Sequence, residues 1–493
     1  MIGEEPSPSP PPPRLSTGIP GLDVLLGGGL VPGGLYLVEG MPGTGKTILA
    51  NQICFHCARS GGRALYVTLL AESHGKMLAH IRPLSFFDEA QVFQSVIYLS
   101  GYRVLAEKGP SGFLALLAGA VREHKPSFLV IDGVRSARAF TETDTGFAVF
   151  IHEFNTFITT VQCTALLLAP LDRDKQQAEH ALVDGMIELD RVKIGLRTVR
   201  EIEIHKQRGA PHIYGRHMFR IGSEGLTVFP RLEGMAAAAP PASIPAEDRR
   251  LTFDLPQFDE MVGGGVFTGS TTSLVGPPGA GKTLLGLKFL EAGVRRGEAC
   301  LYFGFYETPE RLLFKAEHVG IEIAGAVSAG TLRLIWYAPV EQILDELAQI
   351  LLADVRERRV RRVFIDGLDG FRDAAAYINR VPSFLIALMS ALRAHGATTL
   401  VTEESSSPAV DIRPPIEDLS AVVENLVLMR YFEVGAEVHR LISVSKIRDS
   451  HHDMTLREFH ITPRGIAIAA SSESAEALIQ QQAGAPPNTG KRR

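Results

Sequence analysis

Two glycine-rich segments of the same form lie in this chain of 493 residues, and they constrain its fold more than any other feature. Both fit the pattern G-x-x-x-x-G-K-[ST], and each follows an apolar run and opens a helical pattern. In such a loop the backbone N–H groups surround phosphates, the lysine reaches the β- and γ-phosphates, and the hydroxyl group binds Mg²⁺. The predicted nucleotide-binding residues are Gly40, Met41, Pro42, Gly43, Thr44, Gly45, Lys46 and Thr47, and Gly276, Pro277, Pro278, Gly279, Ala280, Gly281, Lys282 and Thr283. The sequence therefore predicts two sites for ATP with Mg²⁺.

The sequence around the two loops is duplicated at a nearly constant offset. Lys46 and Lys282 lie 236 positions apart (282 − 46), and Lys206 and Lys446, each the first residue of a Lys-x-Arg pair, lie 240 apart (446 − 206). Small changes in offset are what loop insertions produce. A repeat of this length predicts two tandem domains and not a solenoid of short units.

Length and composition fit two soluble globular domains. The chain is too long for one core, and its hydrophobic content of 45% and charged content of 21% are ordinary. The predicted order is a disordered Pro-rich segment (1–14), a first domain (15–234), a linker (235–249), a second domain (250–470) and a flexible tail (471–493). We find no apolar run long enough to span a bilayer and no signal-peptide pattern, so we expect no membrane partner. Four cysteines in a chain of this size predict a reducing, cytoplasmic environment.

Short apolar runs alternate with helical stretches in each repeat. These runs are 35–38, 64–70, 128–131 and 165–168 in the first copy, and 272–275, 301–305, 363–365 and 398–401 in the second. Continuous apolar strands with helices between them predict a mostly parallel sheet covered on both faces. The alternating segments 199–205 and 439–445 predict an antiparallel extension at one edge of each sheet. The predicted fold class is α/β, with two tandem P-loop NTPase domains.

Two aspartates are predicted to hold the metal. Asp132 and Asp366 each end an apolar run, and so lie at the edge of the sheet where ligands of open α/β sheets bind. Together with Thr47 and Thr283 they are the predicted ligands of Mg²⁺ or of its water molecules.

A further carboxylate is needed to orient the attacking water, and it should follow the second apolar strand. Glu307 stands there in the second copy, and Glu72 stands about one residue late in the first. Each could instead be an acidic residue that the helix dipole favours at a helix N-terminus. Both interpretations stay open at this point.

Each Lys-x-Arg pair stands at the end of a predicted strand whose side chains alternate between two faces. Lys206 with Arg208, and Lys446 with Arg448, are residues i and i+2, so both cations of a pair project together. Because each pair is far in sequence from its own phosphate loop, it could reach the nucleotide of a neighbouring subunit as a trans-acting group. The alternative is a solvated basic edge.

These features together resemble the KaiC-like branch of the RecA/RadA superfamily, whose namesake is a circadian clock ATPase. The resemblance covers about residues 15–468 and rests on the Leu-x-Thr-Gly-Ile-x-Gly-Leu-Asp opening, both phosphate loops, both strand-end aspartates and both Lys-x-Arg pairs. It implies RecA-like domains, homohexameric rings with ATP between subunits, and Lys-x-Arg contacts to the neighbour's γ-phosphate. It further implies slow ATPase activity, Ser/Thr autokinase activity in the second domain, and clock-type signalling with regulatory partners that the sequence does not identify.

The chain departs from the family at the carboxylates. KaiC-like domains carry two adjacent glutamates after the second strand, whereas this chain has Leu70-Ala71 in the first copy and Tyr306-Glu307 in the second. The first glutamate of that pair, usually taken as the base, is therefore replaced by Tyr306.

The resemblance also bears on autophosphorylation. Of the family's neighbouring Ser and Thr phosphosites only the serine is present, at Ser420, because Ala421 follows it. Tyr306 is a poor base, since the unperturbed pKa of tyrosine is near ~10. Glu307 would have to act from the adjacent position, on the opposite face if the strand continues there. We expect slow phosphorylation confined to Ser420, or none, beside measurable ATP hydrolysis.

Two other functions of the same fold stay open. One is a recombinase- or helicase-like motor on DNA. The candidate DNA-binding loop 403–418 holds five acidic residues against one arginine, and the net charge of the chain is −5, so nucleic acid is not an expected partner. The other is a non-hydrolysing nucleotide sensor, in which ATP only joins subunits.

Overall fold

The computed structural model describes residues 14–70, 74–141, 143–172, 178–238, 249–405, 422–448, 450–463 and 465–484. The chain divides into two compact units, residues 1–238 and 239–493, and each is described by itself. A nine-stranded sheet forms the centre of each unit.

The described residues of the first unit form nine strands and seven α-helices. The strands are Leu35–Gly40 (β1), Ala64–Thr68 (β2), Val96–Ser100 (β3), Phe128–Asp132 (β4), Thr164–Ala169 (β5), Gly185–Ile194 (β6), Arg197–Gln207 (β7), Arg216–Gly222 (β8) and Gly225–Phe229 (β9). The helices are Leu22–Leu25 (α1), Lys46–Arg59 (α2), His74–Ile81 (α3), Tyr102–His124 (α4), Asp144–Val161 (α5), Ala178–Leu182 (α6) and Leu232–Ala238 (α7), with 3₁₀ turns at Glu89–Gln91 and Val134–Phe140.

The strands of this sheet lie in the order β3-β2-β4-β5-β1-β6-β7-β8-β9. Those from β3 to β6 are parallel, and β6 to β9 form an antiparallel meander. Alternate residues of β1 are buried in two hydrophobic cores on opposite faces of the sheet, because successive side chains of a strand point to opposite faces. Tyr36 and Val38 pack on the side of α2, and Leu35 and Leu37 pack on the side of α4 and α5.

The second unit repeats this plan. Its strands are Arg250–Leu251 (β10), Val266–Phe267 (β11), Thr271–Gly276 (β12), Cys300–Gly304 (β13), Leu332–Trp336 (β14), Arg362–Asp366 (β15), Thr398–Glu404 (β16), Asn425–Val434 (β17), Glu437–Ile447 (β18), Arg457–Thr462 (β19) and Gly465–Ile468 (β20). Its helices are Pro256–Met261 (α8), Lys282–Arg295 (α9), Pro309–His318 (α10), Ala324–Ser328 (α11), Leu344–Arg358 (α12), Asp369–Ala374 (α13), Val381–Ala394 (α14) and Glu473–Gly484 (α15), with a 3₁₀ turn at Ile378–Arg380.

The large sheet of the second unit has the order β14-β13-β15-β16-β12-β17-β18-β19-β20, which matches the first sheet strand for strand. The small strands β10 and β11 form a separate antiparallel pair. The predicted fold class, a mostly parallel sheet with helices and an antiparallel edge extension in each of two tandem domains, is confirmed. The edge strands β3 and β14 were not among the predicted strands.

The chain ends differ in part from the sequence-based expectation. The predicted flexible tail, 471–493, contains the helix α15, whose Ala475 and Leu478 are buried against Leu441 of β18. Two apolar residues three positions apart give this helix an anchoring face. The predicted linker begins inside α7, and residues 1–13, 239–248 and 485–493 lie outside the described residues.

One described helix, α4, is long and apolar enough to cross a membrane by length and composition alone, which differs from the expectation that no apolar run reaches that length. Its backbone leaves the helical conformation at Gly109 (φ 65°, ψ −170°), so it consists of two shorter helices. Phe113, Leu117 and Val121 from its second part are buried in the core of the first unit. These features are typical of a helix that packs on a sheet.

Candidate nucleotide sites

Each glycine-rich segment forms a loop between a strand and a helix, from β1 to α2 in the first unit and from β12 to α9 in the second. The residue before the helix is Gly45 or Gly281, with φ of 117° or 107°. This backbone region favours glycine, because a Cβ atom would be strained there. The N–H groups of each helix N-terminus face the loop, which is an arrangement that binds phosphate.

The loop lysines lie over the loop backbone. Lys46 Nζ donates to the carbonyl oxygens of Gly40 and Met41, at 2.5 and 3.1 Å. Lys282 Nζ makes the matching hydrogen bonds in the second unit, at 2.6 and 2.9 Å. Burial lowers the pKa of both lysines. A phosphate group fits this place, since an opposite charge favours the charged amine.

Asp366 lies beside the threonine of its loop. Thr283 Oγ1 donates to Asp366 Oδ2 at 3.0 Å, Tyr302 Oη donates to the same oxygen at 3.1 Å, and Thr402 Oγ1 donates to Oδ1 at 2.8 Å. Burial raises the pKa of Asp366, and the hydroxyl donors oppose that rise. The hydroxyl and carboxylate oxygens are the kind of ligand that Mg²⁺ takes in proteins. The residues present therefore fit a magnesium ion.

Asp132 occupies the corresponding place in the first unit. It ends β4 and lines the same cavity as Thr47, and Tyr66 Oη donates to its Oδ2 at 2.6 Å. Tyr66 and Tyr302 are 236 positions apart (302 − 66). The repeat offset could therefore have identified this tyrosine–aspartate hydrogen bond, which the sequence analysis missed.

The cavities beside the two loops differ in chemistry. They have volumes of about 570 Å³ in the first unit and about 430 Å³ in the second, within the usual range for ligand sites. Outside the loop, the first cavity is lined by the apolar side chains of Leu70, Met77, Ile81, Leu168, Ala169, Pro170 and Ile221, and by His80, Asp132 and Arg200. The second is lined by Tyr306, Glu307, Lys315, Asp366, Thr402 and Glu404, with Gly367 and Ile461.

Glu307 brings a carboxylate into the second cavity. Because β13 ends at Gly304, Tyr306 and Glu307 do not lie on opposite faces of a strand, and both line the cavity. Lys315 of α10 forms an ion pair with Glu307 Oε1. Glu307 Oε2 is buried and has no hydrogen-bond partner among the described residues. The charge of Glu307 contributes, after burial and the hydroxyl contacts, to the pKa of Asp366, so the two carboxylates are neighbours.

The surroundings of Tyr306 make it unsuitable as a general base. Its Oη donates to Asp373 Oδ2 at 3.2 Å, and burial, followed by the charge of Asp373, raises its pKa. A phenol whose pKa lies above the usual value does not accept a proton at neutral pH. Two further predicted site residues, Glu72 and Ser420, lie outside the described residues.

The Lys-x-Arg pair of the first unit lies toward the end of the sheet that faces away from the phosphate loop. Lys206 pairs with Met186 of β6, which is itself level with Leu37 of β1, whereas the loop begins after Gly40. At about 3.3 Å per residue, Lys206 and the start of the loop are separated by roughly 10 Å along the strand direction. They also lie two strands apart across the sheet.

Both cations of the first pair contact the same carbonyl group. Lys206 Nζ and Arg208 Nη2 donate to the carbonyl oxygen of Ala181, at 3.2 and 3.0 Å. In the second unit, Lys446 Nζ donates to the carbonyl oxygen of Val423 at 2.8 Å. Burial lowers the pKa of each lysine, and the arginine of the same pair lowers it further.

Two arginines hold the phosphate loops, and the sequence analysis missed them. Arg200 Nη1 donates to the carbonyl oxygens of Gly43 and Thr44, at 3.1 and 3.0 Å. Arg440 Nε donates to the carbonyl oxygen of Gly279 at 3.3 Å. They are 240 positions apart (440 − 200), the offset of the Lys-x-Arg pairs, so extending that match along the strand would have found them.

Comparisons with known proteins point to one family of ATPases. The sequence model of the KaiC ATPase family matches residues 15–233 and, a second time, 253–473. The circadian clock oscillator protein KaiC of Picosynechococcus sp. is 27% identical over 483 residues, which cover 94% of this chain and 91% of that protein. The protein of the same name from Thermosynechococcus vestitus is 26% identical over 480 residues, with 94% and 91% covered. The circadian clock protein KaiC3 of Synechocystis sp. is 27% identical over 495 residues, with 97% and 95% covered.

Proposed function

The chain belongs to the KaiC family of ATPases, and from that premise we propose a Mg²⁺-dependent ATPase in which the second unit performs most of the hydrolysis. One observation carries this proposal. Glu307 lies in the second cavity with one oxygen paired to Lys315 and the other buried, without a hydrogen-bond partner among the described residues, near Asp366. A carboxylate of this kind can orient an attacking water.

The binding machinery is the same in both units. In the second unit the loop N–H groups and Lys282 hold the phosphates, and Thr283 with Asp366 holds the metal. The matching residues of the first unit are Lys46, Thr47 and Asp132. Mg²⁺, when bound, neutralises charge on the phosphates.

Glu307 acts on the nucleophile. Its Oε2 accepts a hydrogen bond from water and takes the proton as the oxygen of that water bonds to the γ-phosphorus. The bond between the γ-phosphorus and the bridging oxygen breaks, and ADP leaves. A positioned general base is worth about 10²–10⁴-fold in rate.

The first unit is proposed to hold nucleotide and to hydrolyse it more slowly. Among the described residues, Asp132 is the carboxylate that lines its cavity, and that residue is assigned to the metal. Glu72 remains the candidate for the water-orienting group of this unit. The apolar side chains that line the first cavity favour retention of the nucleotide over proton transfer.

The proposal includes assembly into a ring, a homohexamer by family resemblance. The support is the register of the sheet, since Lys206 lies roughly 10 Å along the strands from the start of its own loop. Such a cation can instead contact the phosphates of a nucleotide that is bound to a neighbouring subunit. Light scattering with an ATP analogue and Mg²⁺ should show a several-fold rise in mass, and a monomer under every nucleotide condition would contradict the ring.

Autophosphorylation and clock-type signalling are finer parts of the proposal. Ser420 is the candidate acceptor, by its position relative to the family's phosphosites. Incubation with ATP and Mg²⁺, followed by mass spectrometry, should find phosphate at Ser420 alone or nowhere. Phosphate on other hydroxyls that persists in Ser420→Ala would overturn this assignment.

Steady-state ATP turnover with and without single-stranded DNA tests the function as a whole. We expect slow turnover that DNA leaves unchanged. Strong stimulation by DNA would favour a DNA-dependent motor. Retained nucleotide binding without any turnover would favour a non-hydrolysing sensor.

A further inference from the structure

Lys315 reaches the second cavity from a different element than Glu307 does. Glu307 lies in the turn after β13, and Lys315 lies in the second turn of α10. The buried side chains of Leu312 and Ala316 anchor this helix, which fixes the direction in which Lys315 projects. The cation is therefore held by packing that does not involve the nucleotide loop.

The contact between Lys315 and Glu307 involves one of the two carboxylate oxygens. Lys315 Nζ is paired with Glu307 Oε1, while Oε2 has no hydrogen-bond partner among the described residues. The side chains are 37% and 23% exposed, so solvent screens the pair and its contribution to stability is small. A charge-assisted contact to one oxygen nevertheless restricts the rotation of the carboxylate. It leaves the second oxygen, which is buried, without a hydrogen-bond partner among the described residues.

The two members of this pair are replaced together in the other half of the chain. At the repeat offset of 236, Glu307 corresponds to Ala71 (307 − 236) and Lys315 to Ala79 (315 − 236). Ala79 lies in α3, the helix that matches α10, and Ala71 lies outside the described residues. At the matching positions of the first unit neither the glutamate nor the lysine is present, and the candidate carboxylate of that unit, Glu72, stands one position later.

We propose that Lys315 is a positioning residue for hydrolysis at the second site. It holds Oε1 of Glu307 so that Oε2 faces the attacking water, and it neither gives nor takes a proton itself. This inference rests on the proposed function, because it requires that Glu307 act on the nucleophile.

The test compares kcat and KM for ATP hydrolysis by the full-length protein and its variants. Lys315→Met should lower kcat about tenfold, within the range that misplacing a catalytic group costs, with KM changed less than about twofold. Lys315→Arg should restore most of the rate. In a Glu307→Gln background, Lys315→Met should have no further effect, because the group that it positions is gone. Arg311→Met, which removes an exposed cation from the same helix, is the matched control and should match the wild type.

The outcomes separate this inference from the proposed function. If Glu307→Gln leaves turnover unchanged, the proposed base is wrong and the positioning role falls with it. If Glu307→Gln abolishes turnover at the second site but Lys315→Met does not slow it, only the positioning role is wrong. A rise in KM at constant kcat would make Lys315 a nucleotide-binding residue instead, and additive losses in the double variant would also overturn the inference. Unchanged melting temperatures exclude misfolding as the cause of a lost rate.

Discussion

The first and second units surround matching phosphate loops with different side chains. At one register position next to the loop strand, β5 presents Leu168 and β16 presents Thr402, which donates to Asp366. Two residues later the first unit has Pro170 and the second has Glu404, and both line their cavities. The glycine-rich loop is thus common to both units, whereas the carboxylate and hydroxyl groups around the cavity are concentrated in the second unit.

A group of charged side chains lies next to the end of β1 in the first unit, just before the loop begins. Glu39 of β1 is fully buried one residue before the loop begins, where it pairs with Arg135 and lies 3.0 Å from His180. Arg135 Nε also lies 3.3 Å from Glu179. The second unit has Val275 at the position of Glu39. In the second unit the buried carboxylate stands on the neighbouring strand instead, where Glu403 pairs in register with Val275 and accepts a hydrogen bond from Ser273 at 2.6 Å.

Glu307→Gln gives the largest expected change. It removes the proton acceptor while it keeps the shape of the side chain, so hydrolysis at the second site should fall by about 10²–10⁴-fold. Total turnover should fall to the level that the first site supplies, with nucleotide binding retained. Steady-state hydrolysis and a binding titration measure the two. Turnover near the wild-type level would contradict the proposal that the second unit performs most of the hydrolysis.

Glu39→Ala should destabilise the first unit by about 3 kcal/mol, because it removes the fully buried carboxylate from its ion pair with Arg135. Val275→Ala, the matched change in the second unit, deletes only two methyl groups and should cost about 1–2 kcal/mol. Urea unfolding of each full-length variant measures the difference. Equal costs would show that the network behind the first loop does not support it more strongly than apolar packing does.

Arg448→Ala should slow ATP turnover by about tenfold, whereas Arg208→Ala should change total turnover little. The reason is that the trans-acting cation matters most where hydrolysis takes place. Mixing Arg448→Ala with Glu307→Gln subunits provides the control, since active sites form again only if the two residues act across an interface. Equal losses for the two arginine variants would contradict the proposed division between the units.

Asp366→Asn should raise the melting temperature of the nucleotide-free protein slightly, by a few degrees at most. Burial raises the pKa of this carboxyl, so its contribution to stability is fully present below the pKa of the unfolded chain and is lost as pH rises through the folded-state pKa. The amide carries no charge, and its advantage over the wild type should therefore shrink as pH falls. Thermal unfolding across acidic and neutral pH without Mg²⁺ measures this, and an advantage that grows in acid would contradict it.

Sequence patterns predicted the parts of the fold that are determined locally. A strand, a glycine-rich loop and a helix follow one another around Lys46 and Lys282, and the duplicated offset extended that pattern to the strands that end in Asp132 and Asp366. The edge strands β3 and β14 were missed. Their exposed residues, Ser100 in β3 and Arg333 and Trp336 in β14, break the continuous apolar pattern by which the central strands were found.

The chemistry that distinguishes the two sites could not be predicted in the same way. The contact between Lys315 and Glu307 depends on the angle at which α10 leaves the sheet, and the contact between Glu39 and Arg135 joins residues 96 positions apart. Neither follows from periodicity. The expectation that Tyr306 and Glu307 would lie on opposite faces depended on continuation of β13, which ends at Gly304 before the turn into the cavity.

Steady-state ATP turnover of Lys46→Ala and Lys282→Ala, with bound nucleotide counted in the same samples, tests the central claim most directly. Each change removes one loop lysine, so each should remove about half of the bound nucleotide. We expect Lys282→Ala to lose most of the turnover and Lys46→Ala to keep more than half of it. Equal turnover in the two variants, or a greater loss in Lys46→Ala, would contradict the assignment of hydrolysis to the second unit.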